Sequence, residues 1–176
     1  RPLSRGLGDV YKRQTVFFTL GILLIILGIA MIVPVVFQLV YNEFDSTFII
    51  SGIITITFGI LFFLSNIDHL KLINTQQAFI LTALSWLSIA TFGSLPFFFS
   101  DLNLSITDSF FESMSGITTT GATILNNIES SPTGILMWRS MLQWLGGIGV
   151  ILMAITIMPI MNIGGMQLLK LSLIHI

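Results

Sequence analysis

The chain has 176 residues, of which 54% are hydrophobic and only 9% charged, with a formal net charge of −1 at pH 7. That composition lies far outside the range of a soluble domain and marks an integral membrane protein. With no Cys and only two scattered His, disulfides, thiolate zinc and a histidine metal cluster are excluded, and with no stripe of Lys or Arg so is a nucleic-acid partner.

Residues 1–14 carry Arg1, Arg5, Lys12 and Arg13, four of the seven basic residues, and break abruptly into apolar sequence at Thr15. The tail from Leu171 to Ile176 stops without a cap. Residues 1–14 therefore read as a non-native leader, and residues 160–176 as a truncated connection with a non-native end. A complete gene carrying the same ends would refute this reading.

Four apolar stretches are then matched to a hydrocarbon core of roughly 30 Å, which takes roughly 20 helical residues to cross. They run about Val16 to Val40, Thr47 to Leu64, Ala78 to Phe99 and Gly134 to Met158. Pro34 is expected to kink the first near its end. The fold class is all-α: an N-terminal transmembrane helix pair over residues 15–65, then one helix–pore loop–helix repeat over residues 74–159. Polar turns at Asn42 to Asp45 and Ser65 to Lys71 connect the first three stretches, and His69 is a loop residue.

Charge sets the orientation, because Lys and Arg are retained on the cytoplasmic side. With the N-terminus inside, the inner loops hold Lys71 and Lys170. The outer segments then hold Glu43, Asp45, Asp101, Asp108, Glu112 and Glu129, with no Lys or Arg at all.

Between the third and fourth stretches, Leu104 to Met114 is too short to cross a bilayer and must re-enter or lie on its surface. Ser105 or Thr107 can cap a helix there, and Asp108 suits the positive end of its dipole. The pore helix is expected over about 105–116, with Phe110, Phe111 and Met114 packing among the spanning helices and Asp108 and Glu112 on the other side at i, i+4 spacing. Ser115-Gly116 ends it, aiming a partially negative terminus at the run Thr118, Thr119, Thr120, Gly121 and Ala122. The threonines are expected to hold extended backbone and Gly121 to take a positive φ, so that carbonyls replace the hydration shell of a monovalent cation. Taken alone, Thr-Thr-Thr-Gly is a weak signal; its position after a short amphipathic helix and between two spans carries the inference.

Three strings then resemble one family: Phe111-Glu-Ser-Met-Ser-Gly-Ile-Thr-Thr-Thr-Gly-Ala-Thr123, Trp138-Arg-Ser-Met-Leu-Gln-Trp-Leu-Gly-Gly-Ile-Gly149 and Gly164-Gly-Met-Gln167. They resemble the Trk/Ktr/HKT superfamily of cation uptake proteins, most of all its TrkH-type bacterial potassium branch. The resemblance implies a helix pair followed by four helix–pore loop–helix repeats around one pore, of which this chain holds the pair and the first repeat. It implies a filter at 118–122, with K+ as the transported ion on the backbone carbonyls of Thr118, Thr119, Thr120 and Gly121. A serine at the glycine's place goes with sodium preference in the plant branch, so Gly121 points to potassium. It also implies a prokaryotic plasma membrane, a cytosolic nucleotide-binding regulatory subunit, a homodimer of the full-length protein and no cofactor within this chain.

Arg139, in the first turns of the last span, is expected to support the filter by pairing with Glu112 or Asp108 or by binding carbonyls at a pore-helix end, before any direct role in repelling or gating ions. Gly146, Gly147 and Gly149 are read as packing positions before hinges. Trp138 is expected at the outer interface, with Trp86 and Trp144 packing. Two rivals stay open. One is a subunit of a homotetrameric monovalent cation channel, against which the missing second filter glycine counts. The other is a membrane enzyme or assembly factor, for which the sequence offers no nucleophile with a base nearby.

Overall fold

In a computed structural model, residues 3–66, 75–125, 128 and 131–160 are described. His69, Lys71, Glu129, Lys170, His175 and the motif from Gly164 to Gln167 lie outside them. The described residues are all helical in their regular structure, and four helical stretches are long and apolar enough to span a membrane: Gln14–Val40, Thr47–Leu64, Gln77–Phe99 and Thr133–Ile155.

The first span is two helices, α1 (Leu3–Ala30) and α2 (Ile32–Val40). The break sits at Met31, a turn ahead of Pro34, because the proline has no N–H for the carbonyl of Ala30. α1 starts at Leu3 and not at Thr15, so the basic stretch continues the helix. After the turn at Asn42 comes α3 (Thr47–Leu64). The third span is jointed too. α4 (Thr75–Gly93) gives way at Ser94 to α5 (Leu95–Phe99), since Pro96 cannot donate to Phe92; the sequence reading treated this stretch as continuous. Two more helices complete the order, α6 (Ile106–Ile117) and α7 (Thr133–Ile160).

α1 and α3 pack along their length through small residues. A Cβ on Gly21 would lie 2.6 Å from the Phe63 nitrogen and 2.8 Å from the Gly59 carbonyl oxygen. Such contact gives van der Waals packing where lipid offers no hydrophobic drive between helices. Phe17 against Phe62 and Phe18 against Phe63 close one end, with ring centroids 5.7 and 4.9 Å apart. On α3 the buried Ser51 and Thr55 hydroxyls each donate to the carbonyl one turn back at 2.7 Å, so the polar stripe is satisfied within its own helix.

The core runs from Leu24, Leu27 and Met31 through Phe48 and Phe97 to Ile135, Trp138 and Leu142. It joins the helix pair to α7. Around it Ile53, Leu61, Ile80 and Leu87 face outward, an apolar surface matched to lipid. α6 lies in the cradle between α4, α5 and α7.

Candidate functional site

α6 begins with a complete capping box. The Ser105 hydroxyl oxygen accepts from the Asp108 N–H at 3.1 Å while the Asp108 carboxylate accepts from the Ser105 N–H at 3.4 Å and its hydroxyl at 2.7 Å. Asp108 is thereby committed to the cap, which leaves Glu112 as the carboxylate for Arg139.

The buried side of α6 is the reverse of the one expected. Ser109, Glu112, Ser113, Ser115, Gly116 and Ile117 are buried, whereas Phe111 is 45% exposed and Phe110 and Met114 only partly covered. The reason lies in the solvent. Among spanning helices small residues allow close approach, so Ser-x-x-Glu-Ser-x-x-Gly at helical spacing forms the inward stripe, with Glu112 paired to Arg139.

At its other end α6 runs to Ile117, one residue past the expected stop, and closes in a Schellman motif. The Thr119 N–H donates to Gly116 at 3.0 Å and the Thr120 N–H to Ser115 at 3.1 Å. Two of the threonines are therefore not extended. Thr118 has φ −79° and ψ 0°, and Thr119 has φ +58°, a left-handed position where a β-branched residue is an outlier. Gly121 has φ +76°, and no atom lies within 4 Å of where its Cβ would be. Conformation alone, not crowding, selects glycine there. The Thr118 hydroxyl donates to Met114 at 2.7 Å and lies 2.9 Å from that of Thr120.

Behind this turn stands a clamp. Glu112 is fully buried and forms an ion pair with Arg139, Nε to Oε1 2.7 Å, whose side chain is 12% exposed. The same carboxylate accepts from the Thr123 hydroxyl at 3.0 and 3.1 Å and from the Ile124 N–H at 3.1 Å. Arg139 Nη2 in turn donates to the carbonyls of Gly121 at 3.2 Å and Ala122 at 3.5 Å, and the Ser115 hydroxyl donates to Ala122 at 2.6 Å. Both lone pairs of the Ala122 oxygen are engaged, whereas that of Gly121 keeps one. A largely covered cation and a fully buried anion thus hold the loop at both sides of Ala122.

α7 carries this clamp close to α6. A Cβ on Gly146 would fall 1.8 Å from the Ile117 carbonyl oxygen, while one on Gly147 would meet nothing within 4 Å and one on Gly149 only the Trp86 ring at 3.9 Å. Of the three glycines, Gly146 is the packing position. Trp138 is not at an interface: it is fully buried, and its indole N–H donates to the Gly93 carbonyl at 2.9 Å, an acceptor presented by the α4–α5 joint. Trp144 does not pack either, being 65% exposed.

The structure brings together Glu112, Arg139, Gly121 and Ala122 and adds Ser115 and Thr123, which sequence reasoning did not single out. Ser115 shares the inward stripe with Glu112, a signal available to helical periodicity. Thr123 lies eleven residues from its partner across a turn, and nothing in the sequence pairs them.

The model of the TrkH family, described as a cation transport protein, matches residues 45–173. The Trk system potassium uptake protein TrkH of Escherichia coli (strain K12) is 40% identical over 156 residues, 85% of this chain and 32% of that protein. The Trk system potassium uptake protein TrkI of Halomonas elongata is 38% identical over 167 residues, 94% of this chain and 34% of that protein. The crystal structure of the potassium transporter TrkH from Vibrio parahaemolyticus superposes with a TM-score of 0.80 at 34% identity, over 87% of this chain and 33% of that one. The chain thus spans about a third of the length of the curated relatives it matches.

Proposed function

This chain belongs to the TrkH family of cation transport proteins, and on that premise we propose that it supplies the helix pair and the first quarter of a potassium-conducting pore. Residues 15–65 are the pair and residues 74–159 the repeat, with the filter at 118–122. The carbonyls of Thr118, Thr119, Thr120 and Gly121 face the ion, and Ala122 anchors the loop. The chemistry is coordination, not catalysis: oxygens fixed in advance take the place of water around a monovalent cation.

The observation that carries this reading is the clamp. Backbone carbonyls can select an ion only if they are held, and here a fully buried carboxylate and a guanidinium grip the loop from behind while the end of α6 aims its carbonyls at the same turn. The loop enters from outside, the N-terminus is cytoplasmic, and the membrane is the plasma membrane of a prokaryote. The complete protein works as a homodimer with a cytosolic nucleotide-binding regulator. Relatives about three times as long, one of them a potassium transporter of matching fold, support a multi-repeat pore over a homotetramer of short subunits.

The test is Gly121→Ser in the complete reading frame, assayed as rubidium and sodium uptake into proteoliposomes. The rubidium-to-sodium flux ratio is expected to fall at least about tenfold, the equivalent of about 1.4 kcal/mol of selectivity. An unchanged ratio would overturn the filter assignment.

A further inference from the structure

The hydroxyls of Ser51, Thr55, Thr57, Thr82 and Ser140 each donate to the carbonyl four residues back, at 2.7 to 2.9 Å, the ordinary arrangement for Ser and Thr inside a helix. Ser115 does otherwise. It is buried in the last turn of α6, yet its hydroxyl turns forward and donates to the Ala122 carbonyl, seven residues ahead, at 2.6 Å. Its own carbonyl accepts from the Thr120 N–H at 3.1 Å and from the Gly121 N–H at 3.5 Å. One residue thus bonds on both sides of the peptide that joins Gly121 to Ala122.

That peptide needs holding. Gly121 has φ +76° and no atom within 4 Å of where its Cβ would be, so packing does not fix it, and glycine takes the opposite sign of φ about as readily. Its carbonyl is gripped from the α7 side by Arg139 Nη2 at 3.2 Å. From the α6 side the grip is indirect, through Ala122. With the Ala122 carbonyl held by Ser115 and Arg139, the Gly121 carbonyl can turn away only if Ala122 swings to positive φ, a region it stays out of here and which its Cβ disfavours. Without the Ser115 hydroxyl, the Ala122 oxygen keeps Arg139 alone at 3.5 Å, and the two peptides are free to turn together.

We propose that Ser115 is a positioning residue for ion selection: its hydroxyl keeps the Ala122 carbonyl turned from the ion and so keeps the Gly121 carbonyl in place as the last ligand of the row. This rests on the reading of residues 118–122 as a filter. Carbonyl oxygens discriminate between monovalent cations only while their spacing is kept. A loop loosened at this end closes around the smaller sodium ion, so loss of the hydroxyl falls on discrimination before it falls on flux.

The test is rubidium and sodium uptake by the complete protein in proteoliposomes, with the flux ratio and the unfolding midpoint read on the same preparations. Ser115→Ala is expected to lower the rubidium-to-sodium ratio at least about threefold, the scale of one lost hydrogen bond, by admitting sodium. Ser113→Ala is the control. Ser113 is fully buried on the same helix and its hydroxyl has no hydrogen-bond partner, so its loss is expected to leave the ratio unchanged whatever it does to the midpoint. Ser115→Cys, of similar shape and a weaker donor, is expected to lower the ratio by less than Ser115→Ala and carries the test should the alanine variant fail to fold. A ratio unchanged in the Ser115 variants that fold, or lowered as far by Ser113→Ala, would overturn the proposal. Gly121→Ser, measured alongside, separates the two readings: if it alone lowers the ratio, the filter stands and the role of Ser115 falls, and if neither position moves the ratio, the filter assignment falls as well.

Discussion

Arg139→Met removes the cation of the clamp while keeping a flexible apolar stem in its place. Glu112 is then left fully buried with its charge opposed only by the hydrogen bonds from Thr123 and Ile124. Removing one partner of a buried ion pair typically costs about 3–5 kcal/mol, far more than the pair is worth against a neutral replacement. For a chain of this length about 1 kcal/mol moves the unfolding midpoint by about 2–4 °C, so the single variant is expected to unfold at least about 6 °C lower. Combining it with Glu112→Gln removes the orphaned charge and should recover more than half of that loss. The carbonyls of Gly121 and Ala122 still lose their donor, so recovery is not complete. The assay is a double-mutant cycle by thermal unfolding in nanodiscs. Additive losses, or a single variant within about 1 °C of the parent, would refute the argument that the two side chains act as one buried unit.

Three further outcomes are expected from the geometry. Gly146→Ala places a methyl against the Ile117 carbonyl, a backbone atom that cannot swing aside, and is expected to cost about 1–3 kcal/mol or more; Gly147→Ala, with open space, is expected to be neutral or stabilising by about 0.5–1 kcal/mol, and equal effects in unfolding experiments would remove the close-approach argument. Thr119→Gly relieves a left-handed β-branched residue and is expected to stabilise by about 1 kcal/mol, read as a higher unfolding midpoint; a lower one would mean that the Thr119 side chain outweighs its backbone strain. The bonds from Thr133 hold the Glu43 carboxyl below its ordinary 4.5; a depressed carboxylate adds stability that is present above its unfolded value and is lost as pH falls through the folded one. Glu43→Gln should therefore flatten the acid limb of a stability-against-pH curve below about pH 4.5, and an unaltered limb would show that these bonds do not persist in solution.

Much of the fold was legible in the chain because bilayer physics writes itself into composition. Four apolar runs, each near the length of a membrane crossing, fell where the spans are, with Thr47 and Leu64 bounding α3 as read. Ser105 and Asp108 announced the start of α6 because a capping box is made of neighbours in sequence. The positive φ of Gly121 was legible for the same local reason. Trp138 was misplaced because tryptophan is as much at home in a buried niche with an acceptor as at an interface, and only the α4–α5 joint supplies that acceptor. The face of α6 was misread because an apolar side seeks the core in water, whereas in lipid the small and polar side does.

The sequence by itself determined that the chain carries four apolar stretches long enough to cross a membrane and that a short helix runs into Thr-Thr-Thr-Gly between the last two, since hydropathy, caps and glycine conformation are local properties. Only the tertiary structure decided that Glu112 meets Arg139 and Thr123, that Arg139 reaches the Gly121 and Ala122 carbonyls, and that Glu43 meets Thr133. Those contacts join residues 11 to 90 positions apart, and their pairing is set by how helices pack, which no local pattern encodes.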